Sequence, residues 1–148
     1  MAATLQESLL SEDNRPKVIS DCFALIEQEV SAMSGVTGTA VKAAYKTVNA
    51  FMPGHVRFMV ETLLPDTIVK LEPYWADFGT AGGGQFGDYL AKRGDEVAEA
   101  LLTVTDAQAA ASSRPTIIKA YGSVRKSAAK HVEAALPRAG DLVMKYAS

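Results

Sequence analysis

Apolar residues recur at three- and four-residue steps along almost the whole chain, the signature of helices with one buried stripe. No stretch alternates convincingly as a strand does. Val18, Ile19, Cys22, Phe23, Ile26, Val30 and Met33 share one face of a long helix. Asn14 is placed to cap it, Pro16 suits a first turn that has no use for its missing N–H, and Ser34-Gly35 stops it. Ahead of it, Thr4 and Glu7 have capping-box spacing, which predicts a short helix over Leu5, Leu9 and Leu10.

Val41, Ala44, Tyr45, Val48 and Phe51 form the next stripe, and Pro53 forces a new start before Val56, Met59, Val60, Leu63 and Leu64. Pro65-Asp66 is read as opening another helix through Ile68, Val69 and Leu71, with Pro73 kinking or splitting it before Tyr74, Trp75 and Phe78. Residues 79–84, rich in glycine, break the pattern. A short helix over residues 86–91 ends at Gly94, and a longer one from Asp95 buries Val97, Leu101 and Val104. After Ser112-Ser113 come three stripes: Ile117, Tyr121, Val124 and Ala128; Val132, Ala135 and Leu136; then Leu142, Val143 and Tyr146.

A shift of 76 residues aligns Ala44, Tyr45, Val48, His55 and Val56 with Ala120, Tyr121, Val124, His131 and Val132. After one gap, Leu64-Pro65 matches Leu136-Pro137, so residues 39–72 and 115–147 each read as helix, helix, Leu-Pro, helix. The expected fold is therefore all-α, a compact multi-helix bundle or array with an internal pseudo-repeat of a three-helix unit. At 148 residues the chain suits one domain, spanning 1–148, and 48% hydrophobic with 22% charged residues is an ordinary globular balance.

Charge changes this picture, because residues 1–112 hold 8 Lys/Arg against 15 Asp/Glu, net −7, and residues 113–148 hold 7 against 2, net +5. Such polarity reads either as a docking surface for an acidic partner, nucleic acid or anionic lipid, or as a solvated face that complements the acidic remainder of the molecule. The basic residues lack an aromatic stacking platform and any nucleic-acid motif, which favours the second reading and argues against specific nucleic-acid binding. No apolar run approaches the roughly 18 residues of a membrane span, and the first residues carry no basic-then-apolar leader. With a single cysteine as well, a cytoplasmic setting is expected.

The candidate chemistry is sparse. His55 and His131 occupy equivalent places in the repeat, yet neither has a second ligand three or four residues away, so each is expected to fill the same structural niche beside its Leu-Pro turn, without metal or cofactor. Cys22 sits in an apolar stripe and reads as a buried, inert thiol. Gly82-Gly83-Gly84-Gln85-Phe86-Gly87 matches a dinucleotide fingerprint but lacks the preceding strand that this motif needs. Tyr74, Trp75, Phe78, Phe86 and Tyr89 place 5 of the 11 aromatics within 16 residues, flanking the glycines. These five are the candidate partner- or ligand-binding residues, the alternative being a loop folded back so that its rings plug the core.

The string Leu71-Glu72-Pro73-Tyr74-Trp75-Ala76-Asp77-Phe78, with Phe86-Gly87-Asp88-Tyr89-Leu90, Arg93-Gly94-Asp95-Glu96-Val97-Ala98, Ser113-Arg114-Pro115 and Ala135-Leu136-Pro137, resembles an uncharacterised family of small all-helical actinobacterial proteins. The resemblance runs nearly end to end and implies one helical domain in a bacterial cytosol, but no activity, cofactor or active-site residue. Two function classes follow from the residues themselves. The leading one is a non-enzymatic helical module that binds another protein, and the alternative is a carrier or sensor of a small apolar ligand held between the repeats. A pocket lined by Phe51, Met52, Phe58 and Met59 favours the carrier, whereas a filled core with Trp75 exposed favours the interaction module.

Overall fold

In the computed structural model, which describes residues 4–147, the stripes become seven helices: α1 Leu5–Leu9, α2 Arg15–Ala32, α3 Gly35–Phe51, α4 His55–Thr80, α5 Phe86–Ala91, α6 Gly94–Ala111 and α7 Pro115–Ala147. Thr4 caps α1 by accepting from the Glu7 amide at 3.1 Å, and the helix buries Leu5 and Leu9. Asn14 takes a different part from the expected cap of α2. Its backbone is already helical, and its side-chain amide donates to the Ser8 carbonyl at 2.8 Å, closing the α1–α2 turn instead.

Two prolines that were expected to divide the chain lie inside α4, which runs unbroken for 26 residues. A proline deprives the carbonyl four residues earlier of its donor. Here those residues are Glu61 and Val69, both exposed, so water reaches the orphaned groups. Pro137 likewise lies inside α7, a single helix of 33 residues where three stripes had suggested separate pieces. The two similar segments consequently take different forms, one broken between Phe51 and His55 and the other continuous. His55 opens α4 at a corner, whereas His131 sits in mid-helix with its Nε2 buried and, among the described residues, without a hydrogen-bond partner. The expectation of one shared niche for the two imidazoles is thus corrected.

Helix α7 is the axis of the arrangement, packing on α1, α2, α3, α5 and α6, while α4 covers α1, α2 and α6. The core between them joins Leu5 and Leu9 to Val18, Leu64, Ile68, Leu90, Leu136 and Val143. Helices α5 and α7 approach closely at a pair of glycines. A Cβ built on Gly140 would lie 2.2 Å from the Gly87 nitrogen, and one on Gly87 would lie 2.4 Å from the Pro137 carbonyl oxygen. The two backbones touch there, which only a pair of residues without side chains permits.

Candidate functional site

At one end of the bundle two corners lie side by side. Helix α3 stops at Met52 and Pro53, and Gly54, at φ 81, adopts the left-handed conformation that turns the chain into α4. Helix α6 ends at Ala111, and the Arg114 amide donates to the Ser112 hydroxyl at 3.2 Å before Pro115 starts α7. Together the corners enclose an open cleft of about 580 Å³ with Phe51, Met52, Phe58, Met59 and Ile117 as its apolar wall and His55, Gln108, Ser112, Ser113 and Arg114 as its polar one. Phe51 is 74% exposed and Phe58 56% exposed, and the His55 ring lies 6.1 Å from that of Phe58.

The electrostatics of the cleft are lopsided. Arg114 is its one fixed charge, no carboxylate lines it, and among the described residues Arg114 makes no ion pair. Burial, and secondarily the positive charge of Arg114, hold the His55 imidazole below its ordinary pKa, so it is neutral at physiological pH. Among the described residues no hydrogen bond joins His55 to Ser112 or Ser113, and no acid orients the ring, so the corner lacks the parts of a nucleophile–base relay.

The five aromatics named from the sequence gather elsewhere and turn mostly inward. Phe78, Phe86 and Tyr89 are buried, whereas Tyr74 and Trp75 are half-buried and pack against the same core. Trp75 meets Phe86 edge-on at 5.0 Å, Phe78 lies 5.2 Å from Phe86, and Arg93 stacks 4.0 Å over Tyr89. Gly82, Gly83 and Gly84, at φ 102, 83 and 106, let the chain double back so that α5 delivers its rings into the core. The fingerprint-like glycines follow a helix, not a strand. Phe78 and Tyr89 show an edge to a second cleft of about 390 Å³, also lined by Asp88, Lys92 and Arg93. Three of the five rings are thus buried where α5 packs on α4 and α7, which leaves Tyr74 and Trp75 as the two partly exposed members of the set.

Sequence reasoning did not foresee how each tyrosine is used. All five donate to a carboxylate on another helix: Tyr45 to Glu27, Tyr74 to Glu96, Tyr89 to Asp77, Tyr121 to Asp106 and Tyr146 to Asp21. Burial pushes the Tyr74 phenol up to about 12, with the Glu96 hydrogen bond adding to it. Asp21 is held below the usual carboxylate range by Tyr146 and Lys145, and Asp106 by Arg125 and Tyr121. Three of the seven basic residues after Ser112 are tied into this scheme: Arg125 reaches Asp106 at 2.8 Å and Glu99 at 3.2 Å, Arg138 reaches Glu29 at 2.6 Å, and Lys145 reaches Asp21 at 2.9 Å. Burial, with Asp21 beside it, pushes the Cys22 thiol up to about 11, which keeps it protonated and a poor nucleophile at neutral pH.

Among the described residues, no group of three or more His, Cys, Asp or Glu side chains is placed to hold a metal ion, and no helix is long and apolar enough to cross a membrane. No curated protein and no solved structure matches the chain. A family model does, over residues 5–147, and on that near-complete match the chain belongs to DUF6918, a family of unknown function.

Proposed function

We propose that the chain is a non-enzymatic helical binding protein that holds a small apolar molecule in the cleft between the α3–α4 and α6–α7 corners. The observation that carries this reading is the wall itself. Phe51, Met52, Phe58 and Met59 line one cleft, and its volume of about 580 Å³ is of the size that takes small ligands. The protonated thiol and the absence of a relay in the cleft support binding in preference to chemistry. Native mass spectrometry of freshly purified protein tests it, with one retained small molecule per chain as the expected result. Ligand-free protein that also fails to bind an apolar fluorescent probe refutes it.

A second reading keeps the same surface for another protein. Phe51 and Phe58 protrude at the rim, and protruding aromatics are the residues that most often anchor protein interfaces. Phe51→Ser separates the two readings, because it would abolish a protein complex seated on the rim while only weakening a ligand held deeper, against Met59 and Ile117.

A further inference from the structure

An apolar wall accounts for half of the cleft. The other half holds one guanidinium without an ion pair among the described residues, one imidazole and several neutral hydrogen-bonding groups, with no acid to balance them. Elsewhere in residues 113–148, Arg125, Arg138 and Lys145 each close on a carboxylate, while Lys119, Lys126 and Lys130, like Arg114, form no ion pair among the described residues and line no part of this cleft. Arg114 is set apart by its place, in the lining of a cleft that no carboxylate shares.

Resting on the ligand-binding reading above, we infer that the cleft is a site for a monoanionic amphipath: a free acyl-chain carboxylic acid, its head at Arg114 and its chain along Phe51, Phe58 and Met59. The planar fork of an arginine matches a carboxylate with two parallel hydrogen bonds. Its single charge also selects among anions. A phosphate monoester carries about −1.5 to −2 at neutral pH and would leave charge uncompensated beside a neutral His55, whereas a carboxylate is matched one for one. Gln108 and His55 offer hydrogen bonds to the same head group without adding charge. The chain then lies on two phenylalanine rings and two flexible methionines, a surface that adapts to unbranched apolar ligands.

Calorimetric titration with decanoate below its critical micelle concentration, against decanol as the uncharged twin, tests the inference. Wild-type protein is expected to bind decanoate about tenfold more tightly than decanol, the lower end of what a charge-assisted hydrogen bond supplies. Arg114→Gln should erase that preference and Arg114→Lys should keep part of it. Arg114 is exposed and outside the helices, so both variants should fold, which circular dichroism checks. Lengthening the acid by one methylene should tighten binding by up to about fourfold in wild type and Arg114→Gln alike. Equal binding of acid and alcohol, or an unchanged preference in Arg114→Gln, overturns the anionic head group and leaves the apolar carrier standing. Failure of both to bind removes the ligand-binding reading as well. Capture by vesicles of anionic lipid without binding of free decanoate overturns the inference in favour of a membrane surface. A dimer that Phe51→Ser dissociates overturns it in favour of a second copy of the chain.

Discussion

Replacing Gly140 by alanine probes the backbone contact between α5 and α7. The new Cβ would fall 2.2 Å from the Gly87 nitrogen, 2.3 Å from its Cα and 2.8 Å from the Phe86 carbonyl carbon. All three are backbone atoms, so no side chain can rotate away. Ordinary carbon contacts are about 3.5–4.0 Å, and opening a gap of 0.5–1 Å forfeits about a quarter to a half of the dispersion energy of the atoms involved. Helix α5 would have to retreat by more than 1 Å to restore normal contact, taking the fully buried Phe86 and Leu90 with it. Overpacking commonly costs about 1–3 kcal/mol, occasionally more, and a clash with backbone belongs at the upper end. Against this stands the roughly 1 kcal/mol that alanine gains over glycine in a helix. A net loss of about 2 kcal/mol is expected, equivalent to a fall in Tm of roughly 4–8 °C for a domain of this size. Gly122→Ala is the internal control. It lies in the same helix with nothing within 4 Å of its Cβ, so it should stabilise by up to about 1 kcal/mol. Urea titrations of both variants, followed by circular dichroism, give the answer. If Gly140→Ala matches or exceeds wild type, α5 and α7 do not touch through their backbones.

The remaining predictions concern the rings and the charges. Trp75→Ala should lower stability by about 2–3 kcal/mol, somewhat less than for a fully buried ring because Trp75 is half-buried, and should leave decanoate binding unchanged, since Trp75 does not line the cleft; lost binding with intact stability would reinstate the aromatic segment as the site. The tyrosine–carboxylate pairs predict stability lost at both extremes of pH. The depressed Asp21 and Asp106 stabilise fully above their unfolded value of about 3.9 and lose that contribution as pH falls through their folded values. Tyr74, raised to about 12, stabilises fully below about pH 10 and loses its contribution as pH approaches 12. Tyrosinate absorbance at 295 nm should therefore rise later in native protein than in urea, and coincident curves would contradict these pairings. In Arg114→Gln the His55 pKa, read by NMR, should recover only part of the way towards its ordinary value, because burial, the larger cause, remains; an unchanged value would mean that Arg114 is not its neighbour.

The helical stripes were legible because periodicity is local. Val18, Ile19, Ile68, Val97 and Leu136 carried the signal in their spacing and are buried as expected. Helix boundaries were less so. Pro65 and Pro73 look like breaks in any linear reading, and only the position of Glu61 and Val69 on the solvent side reveals why α4 absorbs them. For the site, one half was readable: Phe51, Met52, Phe58 and Met59 surround Pro53 closely enough to suggest a common wall. The other half was not, since no local pattern tells that Gln108, Arg114 and Ile117 fold against them from a corner about 60 residues further on. The Gly87–Gly140 contact left a faint trace, a glycine inside a helical pattern, which usually signals close packing.

The place of α7 in the chain bears on how the protein comes into being. The helix against which α1, α2, α3, α5 and α6 all pack is the last of the seven to leave the ribosome. At about 5–20 residues per second, its 33 residues take roughly 2–7 seconds to synthesise. Throughout that interval Leu5, Val18, Phe86 and Leu90 lack the surface that Leu136 and Val143 will supply. Until then those residues have nothing from α7 to bury them. A chain that stops short of Leu136 would leave that apolar face open, and an uncovered core is what proteases cut first.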